Sequence, residues 1–336
     1  MLRFAVWRFL LALPSLLGLL VLVFVLVRVL PTDPAVTIAG DTATPQQVEE
    51  IRHRYGLDQP LPQQFWRYLG QIAHADLGTS LFTSRPVVDD LTERLPATLA
   101  ITLTALALAI GVGVPLGAWA AAEHNRPVDV VVRFLTVGGL AVASFWFAIL
   151  LQLGFSMELD LLPLSGEIDA AVRPPPTITG FLLIDCLLAG RWDAFRDALE
   201  HLVLPAVTLA MAPTATIARF VRSGMLETLQ KDYIVYADAM GYPRLVLLAV
   251  YALRNSVVAA VTQIGLLFGA LMGGAVAVEQ IFDWPGIGHY AVRAVLSADY
   301  NAVLAVTLLM GVVYAVVNVL VDLTHALLDP RVAEQL

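Results

Sequence analysis

Apolar residues along this chain gather into long uninterrupted runs instead of alternating with polar ones. Runs of about 20 residues, the length that crosses a bilayer's hydrocarbon core, occupy 9–30, 97–122, 130–155, 257–278 and 302–321. A sixth, 202–220, is interrupted by Pro205 and Pro213 but carries no charge before Arg219. The run 181–188 is broken by Asp185 and bounded by Gly180 and Gly190, so it reads as an amphipathic piece outside the membrane. The pattern predicts an all-α integral membrane protein with six transmembrane helices. Arg3 and Arg8 precede the first run, but that run is about twice a secretory h-region, which is 7–15 residues, and is expected to persist as a span.

Between the spans lie three polar segments. The first, 31–95, contains a capped helical pattern from Thr44 onward, turn residues, and the aromatics Phe65, Trp66 and Tyr68; it reads as a small ordered cap on the outer face. The second, 157–198, holds Pro174-Pro175-Pro176 and is expected to be extended there. The third, 226–244, is short and structured. Leu226, Leu229, Tyr233, Tyr236 and Met240 recur at steps of three and four, which places them on one helical side. Asp232 is a candidate N-cap, Gly241 a left-handed stop, and Pro243 forbids continuation. The resulting helix, about 232–241, is too short to stand alone in water, so its apolar side needs a covering surface. Glycines at 111, 113, 117, 138, 139, 265, 269, 273 and 274 predict closely packed spans.

Composition agrees: 58% of the 336 residues are apolar and 14% charged, where soluble chains average about 25%. Basic residues fix an orientation. With an even number of spans, ten basic and eight acidic residues fall on the side of the termini and of 226–244, and ten basic and twenty acidic on the other. The basic residues of the first side crowd into about 70 positions, so that side, with both termini, is placed in the cytoplasm. An acidic outer face excludes nucleic-acid work. The lone cysteine, Cys186, excludes an internal disulfide.

Catalytic signatures are absent. There is no phosphate-binding loop, and the single lysine, Lys231, follows Gln230. The six histidines are scattered, so no metal site is expected. Asp160, Glu167, Asp169 and Asp185 read as a solvated face of the outer loop. Glu279 and Asp322 sit near span ends, where an interhelical hydrogen bond is the ordinary role. A proton- or sodium-driven pump needs carboxylates within its spans; their scarcity points to energy supplied from elsewhere.

A set of short motifs then accumulates in order: Leu30-Pro31-Thr32-Asp33-Pro34, Tyr55-Gly56-Leu57-Asp58, Asp76-Leu77-Gly78-Thr79-Ser80, Glu93-Arg94-Leu95-Pro96, His201-Leu202-Val203-Leu204-Pro205, Leu253-Arg254-Asn255, Phe282-Asp283-Trp284-Pro285-Gly286 and Asp329-Pro330-Arg331. Together they resemble the permease subunits of binding-protein-dependent ABC importers, in the branch that carries dipeptides and oligopeptides, and also nickel and glutathione. The resemblance implies a type I importer permease fold with a periplasmic segment after the first helix. It divides the chain into 1–95, the first helix plus that segment, and 96–336, the transmembrane domain proper. It also implies a bacterial cytoplasmic-membrane location and a transport subunit that is not itself an enzyme. Cofactors would be absent from this chain, with ATP and Mg bound by two partner ATPase subunits. Further partners would be a second, distinct permease, a periplasmic or lipid-anchored binding protein, and membrane lipid.

In that family the loop between the fourth and fifth spans holds the coupling helix that docks on an ATPase. The resemblance assigns that role to Asp232, Tyr233, Tyr236, Ala237, Met240 and Gly241. The family's Glu-Ala-Ala before the glycine stands here as Val235-Tyr236-Ala237, its lysine as Met240, and a downstream proline as Ala259. Asn255, Gln263 and Glu279 are candidates for the translocation path. Two other classes stay open: a self-sufficient secondary transporter, which inverted repeats would mark, and a membrane enzyme, which clustered carboxylates or histidines would mark.

Overall fold

The computed structural model describes residues 2–29, 35–36, 43–55 and 58–328, so the motifs at 30–34 and 329–331 and part of that at 55–58 lie outside the described residues. Among the described residues the architecture is helical, with no strand. In chain order the helices are α1 (Leu2–Val29), α2 (Pro45–Tyr55), α3 (Leu61–Ala73), α4 (Val87–Ala122), α5 (Pro127–Ala141) and α6 (Ser144–Leu151), which unwinds into wide π-type turns over Gln152–Glu158. They continue with α7 (Leu182–Leu188), α8 (Trp192–Leu229), α9 (Asp232–Ala239), α10 (Arg254–Ile281), α11 (Ile287–Leu296) and α12 (Tyr300–Leu328).

Among the described residues four helices are long and apolar enough to cross a membrane: Val87–Ala122, Trp192–Leu229, Gln263–Ile281 and Tyr300–Thr324. Leu13–Leu26 of α1 adds a shorter apolar stretch. The span expected at 130–155 is broken. It is a pair, α5 and α6, bent by 102°, because Val142 (ψ 127°) and Ala143 (ψ 131°) are extended and end one helix before the other begins. Both flanks of the break are apolar, so hydropathy ran straight through it.

The bundle is organised on α8. Two thirds of its apolar window (67%) is buried, against 22–39% for the other long helices, which places it at the centre with α4 alongside. Small residues set that closeness. A Cβ on Gly113 would stand 2.9 Å from the Thr214 carbonyl oxygen, and one on Gly117 would collide with that of Ala218. On α10, Gly265 meets Val321 and Gly269 meets the ring of Tyr314. The predicted glycine stripe is therefore real at these four positions, whereas Gly111, Gly138 and Gly273 have open space beside them.

The segment before α4 is tied to the far end of the chain. Asp299, fully buried, accepts hydrogen bonds from the Ser80 hydroxyl (2.6 Å) and the Leu81 N–H (2.7 Å), and caps α12 at the Ala302 N–H. Asn301 donates to the Thr79 carbonyl, and its side chain fills the space beside Gly78, whose φ of +77° only glycine adopts readily. The Asp76–Ser80 motif is thus a docking turn.

Candidate functional site

At one end of the bundle α9 stands between α8 and the approach to α10. Its start is a correction: Lys231 occupies the N-cap with no side-chain cap bond, and Asp232 lies in the first turn, where its charge favours the helix dipole. Its end is as read from sequence. Gly241 adopts φ +82°, the Gly241 N–H donates to the Asp238 carbonyl and the Tyr242 N–H to that of Ala237, and Pro243 follows. The predicted five-residue stripe is split. Leu226 and Leu229 belong to α8 and pack into the core, while α9 turns Ile234 and Ala237 inward and leaves Tyr233, Tyr236 and Met240 outward. Tyr236 is 68% exposed and Met240 64%. A helix this small therefore holds itself by two inward side chains and presents aromatic and thioether surface to solvent.

Three contacts brace it. The Asn255 amide donates to the Tyr233 hydroxyl (3.2 Å), linking α9 to the first turn of α10. Tyr242 and Tyr251 meet edge to face at 6.3 Å. The Arg244 guanidinium donates to the Ala122 carbonyl at the end of α4 (2.6 Å). Beneath them, Arg222 of α8 grips both oxygens of Asp129 on α5, which is fully buried and also accepts the Asn125 N–H (3.0 Å). The α4–α5 turn is thereby tied to α8 through Arg222 and to the segment after α9 through Arg244.

The proposed path residues do not converge. Asn255, Gln263 and Glu279 are strung along α10, about 12 Å and then about 24 Å apart at 1.5 Å per residue. Asn255 stands beside α9, and Gln263 is half-buried. Glu279 is completely buried: one oxygen accepts the Thr98 hydroxyl (2.6 Å), the other the His289 N–H (2.8 Å), and the backbones of Gly286 and Gly288 lie against it. Thr98 in turn accepts the Ile287 N–H, and the Trp284 indole donates to the Ala97 carbonyl. The Phe282–Gly286 motif is the turn that this carboxylate holds against α4.

Outside the spans, Asp185 is another correction, since it is buried and not part of a solvated face. It accepts the N–H groups of Ile178, Thr179 and Gly180 and the Thr179 hydroxyl. Burial pushes its carboxyl up, and these donors outweigh that and hold it below the ordinary carboxylate value. Glu167 has the opposite fate: burial pushes it up to about 7. Sequence reasoning missed Asp129, Asp185 and Asp299, although an acid beside turn residues is the signal each one gave. Among the described residues no three His, Cys, Asp or Glu side chains gather as metal ligands would.

Helices of this length, a buried polar lock at one bundle end and a braced exposed helix at the other define a multi-pass helical membrane protein. Comparison with known proteins narrows the class. Residues 113–334 match the binding-protein-dependent transport system inner membrane component, and residues 1–102 the corresponding N-terminal component. The chain belongs to this family of transport permeases. It is 40% identical over 315 residues to the probable D,D-dipeptide transport system permease protein of Escherichia coli (strain K12), covering 94% of this chain and 93% of that one. It is 38% identical over 336 residues to the di/tripeptide transport system permease protein of Pseudomonas aeruginosa (strain UCBPP-PA14), covering all of both. Against the dipeptide transport system permease protein of Alkalihalophilus pseudofirmus the identity is 36% over 332 residues, 99% of each chain.

Proposed function

We propose that this chain is a membrane-spanning subunit of an ATP-driven importer of di- and oligopeptides. The observation that carries the reading is end-to-end similarity to permeases of dipeptide and di/tripeptide systems, on a chain that carries α9 as a braced helix with Tyr236 and Met240 facing outward. The spans are six: α1, α4, the bent α5–α6 pair, α8, α10 and α12. Both termini and α9 face the cytoplasm, where basic residues crowd, and the acidic face is periplasmic. A binding protein delivers peptide to that outer face, and a second permease completes the pore.

ATP is hydrolysed by separate subunits, one of which covers Tyr233, Tyr236 and Met240. Movement of that subunit pushes α9, and the Asn255 and Arg244 contacts pass it to α10 and to the end of α4. Substrate and nucleotide then bias alternating access by binding its two states differently. Asn255 and Gln263 remain the α10 residues assigned to the path, whereas Glu279 is assigned to the buried lock against α4.

The test is purification of the complex from native membranes with Tyr233, Tyr236 and Met240 all changed to alanine. These side chains are exposed, so insertion is expected to survive while ATPase subunits are lost and ATP-dependent uptake of a labelled dipeptide falls at least tenfold. Wild-type ATPase recovery would overturn the docking assignment. Uptake of nickel or glutathione, with dipeptides unable to compete, would overturn the substrate class.

A further inference from the structure

The helix α3 has a sidedness that the transport reading leaves unused. Successive residues of an α-helix step by about 100°, and around α3 this produces three sectors. Gln64, Phe65, Tyr68 and Ile72 form the inward one, buried or half-buried. Phe65 meets the Phe24 ring of α1 edge to face at 5.3 Å, and Tyr68 stacks on it at 6.1 Å. Apart from Leu61, exposed at the helix start, and Gly70, the exposed remainder divides into an apolar flank of Pro62, Trp66 and Ala73 and a polar flank of Gln63, Arg67 and Gln71. Trp66 is 71% exposed.

Phe24 fixes the depth of this helix. It lies inside the apolar stretch Leu13–Leu26, and the first charged residue after it, Arg28, follows four positions later, one turn or about 6 Å further along the axis. A helix whose inward face stacks on Phe24 is therefore held at the edge of the hydrocarbon, not above it in water. Within one turn of Phe24 the other sides of α1 are apolar and open: Val21, Leu22, Val25 and Leu26 are all exposed, as lipid-facing side chains are.

We infer that α3 is an interfacial helix, with Trp66 and its apolar flank in the boundary between lipid headgroups and acyl chains and with the Arg67 flank in the aqueous headgroup layer. Amphipathic helices of this kind lie about 5–10 Å into that boundary, and tryptophan concentrates there. The consequence is that the polar segment after the first span is moored to the bilayer surface at one side and to the Asp299 cap at the other.

The test is a depth scan of the full chain in phospholipid nanodiscs, in a Cys186→Ala background, with single spin labels at 62, 66 and 73 and at 63, 67 and 71. Power saturation with oxygen and with a water-soluble nickel chelate reads lipid against water contact. The inference expects the first three positions to be several-fold more oxygen-accessible than the second three, at depths of about 5–10 Å. Equal access of the chelate to all six would place α3 in water and overturn it. Labels at 62, 66 and 73 shielded from both reagents would mean that protein covers the flank, which also overturns it. Because three positions share each flank, misfolding of the Trp66→Cys variant alone does not remove the readout.

Discussion

Glu279 offers the sharpest perturbation, because the structure gives its carboxylate a complete set of protein partners in a site with no exposure. In Glu279→Ala the Thr98 hydroxyl loses its acceptor and the His289 N–H its partner, while Ile287 still donates to Thr98. Each group so orphaned costs about 1–3 kcal/mol, so the variant should lose about 2–6 kcal/mol. Glu279→Gln keeps one acceptor oxygen but turns an amide NH2 toward a donor, and should fall between alanine and wild type. Reversible unfolding in mixed detergent micelles, followed by tryptophan fluorescence, reports directly, since Trp284 sits in the turn that Glu279 holds. Thr98→Val should be non-additive with Glu279→Ala, because both remove the same hydrogen bond. If Glu279→Ala changes stability by less than about 0.5 kcal/mol and yet abolishes uptake, the carboxylate serves the path and the structural reasoning is refuted.

Two further outcomes follow from the same geometry. Arg222→Ala strips Asp129 of its bidentate partner in a fully buried site but leaves Arg133 and His124 at 3.6 Å, so it should cost at most about 3–5 kcal/mol; the double variant with Asp129→Asn should recover much of it in the same unfolding assay. Glu167, with its pKa pushed up to about 7 from an ordinary 4.5, holds a proton in the folded state that the unfolded chain releases. Its contribution to stability is therefore intact below pH 4.5 and declines as pH rises through 7, by at most about 3 kcal/mol at roughly 1.4 per unit. Glu167→Gln should melt like wild type near pH 4.5 and higher than wild type at pH 8, and a difference that is the same at both pH values would refute the assignment.

What the sequence determined by itself is what depends on neighbours in the chain. Continuous apolar runs long enough to cross a bilayer become helices because a helix satisfies its lipid-exposed backbone within its own segment, and the four long apolar helices among the described residues fall where those runs are. Gly241 and Pro243 end α9 for reasons internal to five residues. Tertiary structure decided everything that depends on azimuth or on distant partners. Spacing placed Tyr233, Tyr236 and Met240 on one side of a helix, but only the positions of α8 and α10 turned that side outward and made Ile234 and Ala237 the inward one. The bend at Val142 and Ala143 is invisible in hydropathy because its flanks are equally apolar. Asp129 with Arg222, Ser80 with Asp299 and Thr98 with Glu279 are separated by 93, 219 and 181 residues. A carboxylate's sequence neighbourhood records its charge, whereas the donors that make it a buried lock arrive only when the helices pack.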